Sequence, residues 1–199
     1  MALALPIDAL PEPAPAELDT LTEGADDIFD AALESNWTTI ATLLKRASAA
    51  WASHRSKGAV PVRLKEPTDR ALRRLKDAIG SRDQLKVLQR SLDLRLSVLD
   101  LQLQFHRATD IDFARFDLWL CQVLVDAEAR NSGGLSGDVF TLGWIRDRFV
   151  HVLDKVDVTR IDTLLGELGS QVVDKQFEEA SAIATELREK LEEICDCEL

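Results

Sequence analysis

With 199 residues, 46% of them hydrophobic, and a mean hydropathy of −0.08, the chain is long enough to bury a core as one domain. It has no run near the roughly 18 apolar residues that span a bilayer. Tyrosine is absent, glycine and proline are few, and Ala, Leu, Glu, Asp and Arg dominate, which argues against a sandwich or barrel and predicts an all-α fold. The formal net charge of −11 argues against nucleic acid as a partner, and three cysteines are too few, and odd in number, for a disulfide framework.

Residues 1–24 include four prolines, at positions 6, 11, 13 and 15, and read as a flexible Pro/Ala-rich tail ahead of one helical domain over 25–194. A first helix is expected from Asp26, with Ile28, Phe29, Ala32 and Leu33 on one face. After Glu34-Ser35-Asn36, the residues Trp37, Ile40, Leu44, Ala47, Trp51 and His54 recur at spacings of three and four, an amphipathic stripe that stops at Ser56-Lys57-Gly58, where the glycine is placed as a cap. Val60-Pro61-Val62 reads as an extended connector. The next helix opens near Glu66-Pro67-Thr68 and runs through Leu72, Leu75 and Ile79, with Arg70, Arg73, Arg74 and Asp77 on its outer face.

At Gly80-Ser81-Arg82-Asp83 the phase is lost. Ser81 and Gln84 stand at capping-box spacing for a further helix, predicted to continue to about His106. Its second half, Leu92 to Phe105, alternates apolar and polar residues as a strand would, but leucine favours helix and only Val98 is β-branched. At 100° per residue Leu92, Leu96, Leu99 and Leu103 form one stripe and Leu94, Val98, Leu101 and Phe105 another on the opposite side. A helix apolar on both sides must be covered on both, either by its own chain or at an interface.

Arg107 to Asp110 reads as a turn, with Asp110 or Asp112 capping a helix over Asp112 to Arg130 that buries Phe113, Phe116, Trp119, Leu120, Val123, Leu124 and Ala127. Asn131 to Gly137, with three glycines, reads as the most flexible internal loop. Helices are then expected over Asp138 to about Val152, from about Thr159, and from Gln176 to Ile194, with 195–199 as a C-terminal tail. The four polar interruptions at 34–36, 80–83, 131–137 and 172–175 each separate two helical patterns. That recurrence resembles, in architecture only, an array of helical hairpins of the α-solenoid kind, without tetratricopeptide signature residues in register; an irregular bundle of six to eight helices fits equally.

Charge is segregated. Residues 1–44 hold 9 acidic and no basic groups, residues 45–90 hold 13 basic and 4 acidic, and residues 91–199 hold 11 basic and 22 acidic. The basic block packs against the acidic ones, simply forms solvated faces, or offers Arg70, Arg73 and Arg74 to an anionic partner. Asp147, His151 and Asp154, at spacings of four and three, are the nearest approach to a metal constellation, but the paired Glu-x-x-His motifs of di-iron bundles are missing. Cys195 and Cys197 read as incidental thiols of the tail, Cys121 as a small buried hydrophobe, and His106 as a partner for carbonyls of a last helical turn. The four tryptophans fall mostly on apolar stripes. No phosphate loop, nucleophile elbow or Cys/His pairing stands out, so no cofactor is expected.

The expectation is a non-enzymatic helical interaction or structural protein, binding a protein partner or a second copy of itself, with a metal- or small-ligand-binding bundle as the alternative. The chain as written reads as cytoplasmic. Its Pro/Ala-rich opening also resembles the tether that follows a cleaved leader, which would make it extracytoplasmic.

Overall fold

Four tight turns set the architecture. Ser35, Arg82, Arg130 and Lys175 each take up a left-handed backbone, with φ of 56°, 52°, 51° and 57°, within two residues of a helix end, and the next helix starts two residues later. These turns recur at near-constant intervals along the chain and fold it into four antiparallel helical hairpins. In the computed structural model, which describes residues 13–58 and 60–196, the hairpins are α1 (Ala16–Leu33) with α2 (Trp37–Ser56), α3 (Val62–Ser81) with α4 (Gln84–Gln102), α5 (Ala108–Glu128) with α6 (Ser132–Phe149), and α7 (Lys155–Val173) with α8 (Phe177–Asp196). A short 3-10 turn, Val150–Val152, follows α6. Among the described residues there is no strand.

The hairpins close in pairs. α1 packs on α2 and α4 while α3 packs on α2 and α4, and the same order returns with α5 on α6 and α8 and α7 on α6 and α8. The chain therefore forms two four-helix rings, and the expected all-α multi-helix bundle is what the eight described α-helices build. Each ring has its own apolar core. The first includes Leu18, Ile28, Ile40, Leu75, Leu94 and Val98, and the second Phe116, Phe149, Leu142, Leu164, Leu168 and Leu187. α5 serves both, turning Ile111, Leu118, Cys121 and Val125 to the first core and Phe113, Phe116, Leu120, Val123 and Ala127 to the second. Its neighbour α4 is indeed two-faced, with Leu92, Leu94, Val98, Leu99 and Leu101 all buried, but Leu96 and Leu103 remain 36% and 44% exposed. Coverage from within the chain stops short of those two leucines.

Several boundaries differ from the sequence reading for local reasons. α1 begins at Ala16, not Asp26, because Leu18 and Leu21 are fully buried and Pro15 stands just outside the first turn, where its missing N–H costs nothing. Residues 16–24 are thus helix rather than tail, and residues 1–12 lie outside the described chain. α3 starts at Val62 after Pro61 and carries Pro67 inside it. The α4 cap is Asp83, whose carboxylate accepts from the Lys86 N–H at 3.1 Å, instead of Ser81. α5 starts at Ala108, which places Asp112 inside the helix and buried instead of at a cap. The glycine-rich stretch is not a loop. Asn131 caps α6 by accepting from the Gly134 N–H, and burial of Leu135, Leu142, Ile145 and Phe149 outweighs the poor helix propensity of glycine. Asp154 caps α7, which starts at Lys155, four residues before the expected Thr159.

Candidate functional site

The segregated charge is only partly resolved inside the fold. Arg46 pairs with Glu23 and Lys57 with Glu17, so α2 of the basic block docks on the acidic α1, and Arg55 pairs with Asp69, which also accepts from the Trp51 Nε1 at 2.7 Å. α3 joins this exchange through Asp69 alone, and its own cations do not. Its Arg63, Lys65, Arg70, Arg73, Arg74 and Lys76 form no ion pair among the described residues. Arg70, Arg73 and Arg74 are exposed, as their helical spacing implied. They divide between two grooves. Arg73 borders one between α2 and α3, beside Trp51 and Asp69, and Arg70 and Arg74 border one between α3 and α4 that is floored by Ala71 and Leu96.

A second constellation lies where the two rings meet, at α1, α4, α5 and α8. Arg95 donates from Nη1 to Asp117 Oδ2 at 2.7 Å and places its Nε 3.0 Å from Asp26 Oδ1, while Arg188 donates from Nε to Asp117 Oδ1 at 2.7 Å. Burial raises the cost of charging Asp117, but the two guanidiniums outweigh it and hold the carboxyl below its usual range. The Cys121 thiol beside this cluster is pushed up to about 12, by burial first and then by Asp117, which makes it inert at neutral pH. Toward one end the same seam opens into a crevice of about 480 Å³ walled by Phe29, Leu33, Leu85, Leu88, Leu124 and Val125, with Gln84, Glu128 and Ser181 at its polar edge.

The proposed metal residues are not brought together as a ligand set. Asp147 pairs with Arg146 at 3.0 Å, the Asp154 carboxylate is occupied in capping α7, and His151 stands exposed on the 3-10 turn. Among the described residues no group of three or more His, Cys, Asp or Glu side chains is arranged to hold a metal ion. The reason is local: the helix ends at Phe149, so the i, i+4, i+7 register that aligns the three on paper is broken before His151. Cys197 lies outside the described residues, and Cys195 falls in the last turn of α8. His106 sits in the α4–α5 connector, where its backbone N–H donates to the Gln102 carbonyl.

Two features escaped the sequence reading. Asp126 and Asp138 are 7% and 3% exposed and face one another across the α5–α6 hairpin; Asp126 accepts from Asn131 Nδ2 at 3.0 Å and from Gln122 Nε2 at 3.2 Å, while Asp138 Oδ2 has no partner. Burial, reinforced by Asp126, pushes the Asp138 carboxyl up to about 8. Phe140 and Trp144, one turn apart on α6, are 72% and 71% exposed, so Trp144 is a surface residue and not a core one. No described helix is long and apolar enough to cross a membrane. Compared with known proteins, the chain matches no family, no curated protein and no solved structure.

Proposed function

We propose that the protein is a non-enzymatic helical interaction module that captures an acidic protein partner on the basic face of α3. The observation that carries this reading is the contrast between α2, whose Arg46, Arg55 and Lys57 are neutralised within the chain, and α3, whose Arg70, Arg73 and Arg74 are not. A row of unneutralised guanidiniums on a rigid helix costs stability through mutual repulsion and is compensated when an anionic surface covers it. A protein is preferred to nucleic acid because the rest of the molecule is strongly acidic and would repel a phosphate backbone.

The test is affinity capture with the tagged chain and with a variant carrying Arg70→Glu, Arg73→Glu and Arg74→Glu, both checked for equal helicity and melting temperature. Loss of a protein partner from the variant, and weakening of wild-type capture with salt, are the expected results. Capture that is unchanged by the three substitutions removes the basic face from the account.

A second reading, a binder of a small apolar ligand, is favoured by the crevice between the rings. Its check is a melting-temperature screen with amphipathic ligands on the wild type and on Leu85→Glu, which places a charge at the crevice wall.

A further inference from the structure

Arg70 and Arg74 stand four residues apart on α3, one turn of helix, so their guanidiniums repeat at about 6 Å. The groove they border is otherwise electrically settled. Asp93 is taken by Arg90 at 2.5 Å and Asp100 by Arg115 at 2.5 Å, which leaves Arg70 and Arg74 as its unbalanced charges. Its floor is apolar: Ala71, and the 36% exposed Leu96 from the α4 stripe that the chain does not fully cover. At about 260 Å³ the depression takes one or two side chains and not a cofactor. At Arg74 and Arg90 it meets a second depression that also holds the carboxylate of Asp77, so the basic track along α3 runs from Pro67 to Arg74, about 10 Å or two helical turns.

We infer that this α3–α4 groove receives one acidic amphipathic helix of the partner, with an apolar side chain seated on Leu96 and carboxylates one turn apart meeting Arg70 and Arg74. This inference rests on the proposed function and specifies its site. The charge and the apolar floor select together. A bare polyanion satisfies the arginines but leaves Leu96 in water, and an apolar helix without acids leaves the guanidiniums unpaired. A second copy of the chain is a poor fit: α8 buries Ala180, Ala184, Leu187 and Leu191 in its own core and presents glutamates without an apolar anchor, and α1, the helix with the greatest net negative charge, already spends Glu17, Glu23 and Asp26 on Lys57, Arg46 and Arg95 of its own chain.

The test places a photo-cross-linking benzoylphenylalanine at position 96 of the full chain, and separately at position 73, on the other flank of α3, in cells that express the protein. The expected product at position 96 is a single protein segment with an apolar residue flanked by Asp or Glu at helical spacing, and its yield falls at least tenfold when Arg70→Glu and Arg74→Glu are added. Cross-linking at position 96 to nucleic acid, to a second copy of the chain, or to a segment without that acidic pattern overturns the groove assignment. Products at position 73 but none at position 96 also overturn it and leave the basic-face reading standing. Absence of products at both positions removes the two together.

Discussion

Asp117 on α5 accepts from Arg95 on α4 at 2.7 Å through one oxygen, and through the other it accepts from Arg188 on α8. One carboxylate therefore balances two largely buried cations at the junction of the rings. Removing it takes away the ion pair of Arg188 and leaves Arg95 with Asp26 alone. Asp117→Ala is expected to cost about 3–5 kcal/mol, read as a fall in the urea midpoint. Replacing Asp117, Arg95 and Arg188 together by apolar residues of similar volume should restore most of that loss, because burying ions costs nearly as much desolvation as their attraction returns.

The Asp138 carboxyl gives stability a pH dependence with a definite sign. Its ordinary value of 3.8 applies in the unfolded chain and about 8 in the fold, so the native state holds an extra proton between those limits. Its contribution is fully present below about pH 4 and is lost as the pH rises toward 8. Asp138→Asn removes this slope and is expected to gain ~1–3 kcal/mol over the wild type at pH 8 and little at pH 4. Unfolding midpoints at both pH values decide it, and a variant no more stable than wild type at pH 8 counts against the account.

The glycines of α6 separate into two kinds. A Cβ on Gly134 would stand 2.4 Å from Asn131 Nδ2 and from Asp126 Oδ2, so Gly134→Ala should cost ~1–3 kcal/mol by prying open the cap and the buried carboxyl pair. A Cβ on Gly137 or Gly143 meets nothing, and alanine at either should gain ~0.5–1 kcal/mol through helix propensity. Thermal melts of the three single variants provide the comparison.

The hairpin turns offer a third set. Ser35 and Lys175 hold a left-handed backbone that costs a side-chain-bearing residue about 1 kcal/mol or more. Ser35→Gly and Lys175→Gly should each stabilise by ~0.5–1 kcal/mol. Arg130→Gly should not, because that arginine also pairs with Glu178 at 2.6 Å and lies 5.5 Å over the Phe177 ring. Measured differences in melting temperature rank the three.

Much of the fold is legible in the chain because apolar residues at three- and four-residue spacing allow little except helices. The two-sided character of Leu92 to Phe105 is visible in the same way, and so are the exposed arginines of α3. What the pattern cannot carry is proximity between distant segments. Asp26, Arg95, Asp117 and Arg188 come from four helices, and no spacing along the sequence links them. The helix starts were misplaced where two polar residues competed to cap, as at Ser81 and Asp83, or where glycines suggested a loop, as at Asn131 to Gly137. At Asp83 the local hydrogen bonds decide, because the Ser81 hydroxyl donates to the Ala78 carbonyl, and at Asn131 to Gly137 tertiary burial does. The metal reading failed for the opposite reason: Asp147, His151 and Asp154 share a face only if the helix runs on, and it stops at Phe149.

Because α5 lends one side to each core, neither ring is finished without it. As the chain leaves the ribosome, α1 to α4 can close on themselves, yet the side of α4 that awaits Leu118, Cys121 and Val125 stays wet until residue 125 has emerged. The second ring cannot form at all without the helix that the first has already claimed. Assembly thus has a built-in direction, and a break within α5 uncovers one side of the first ring and removes a helix from the second.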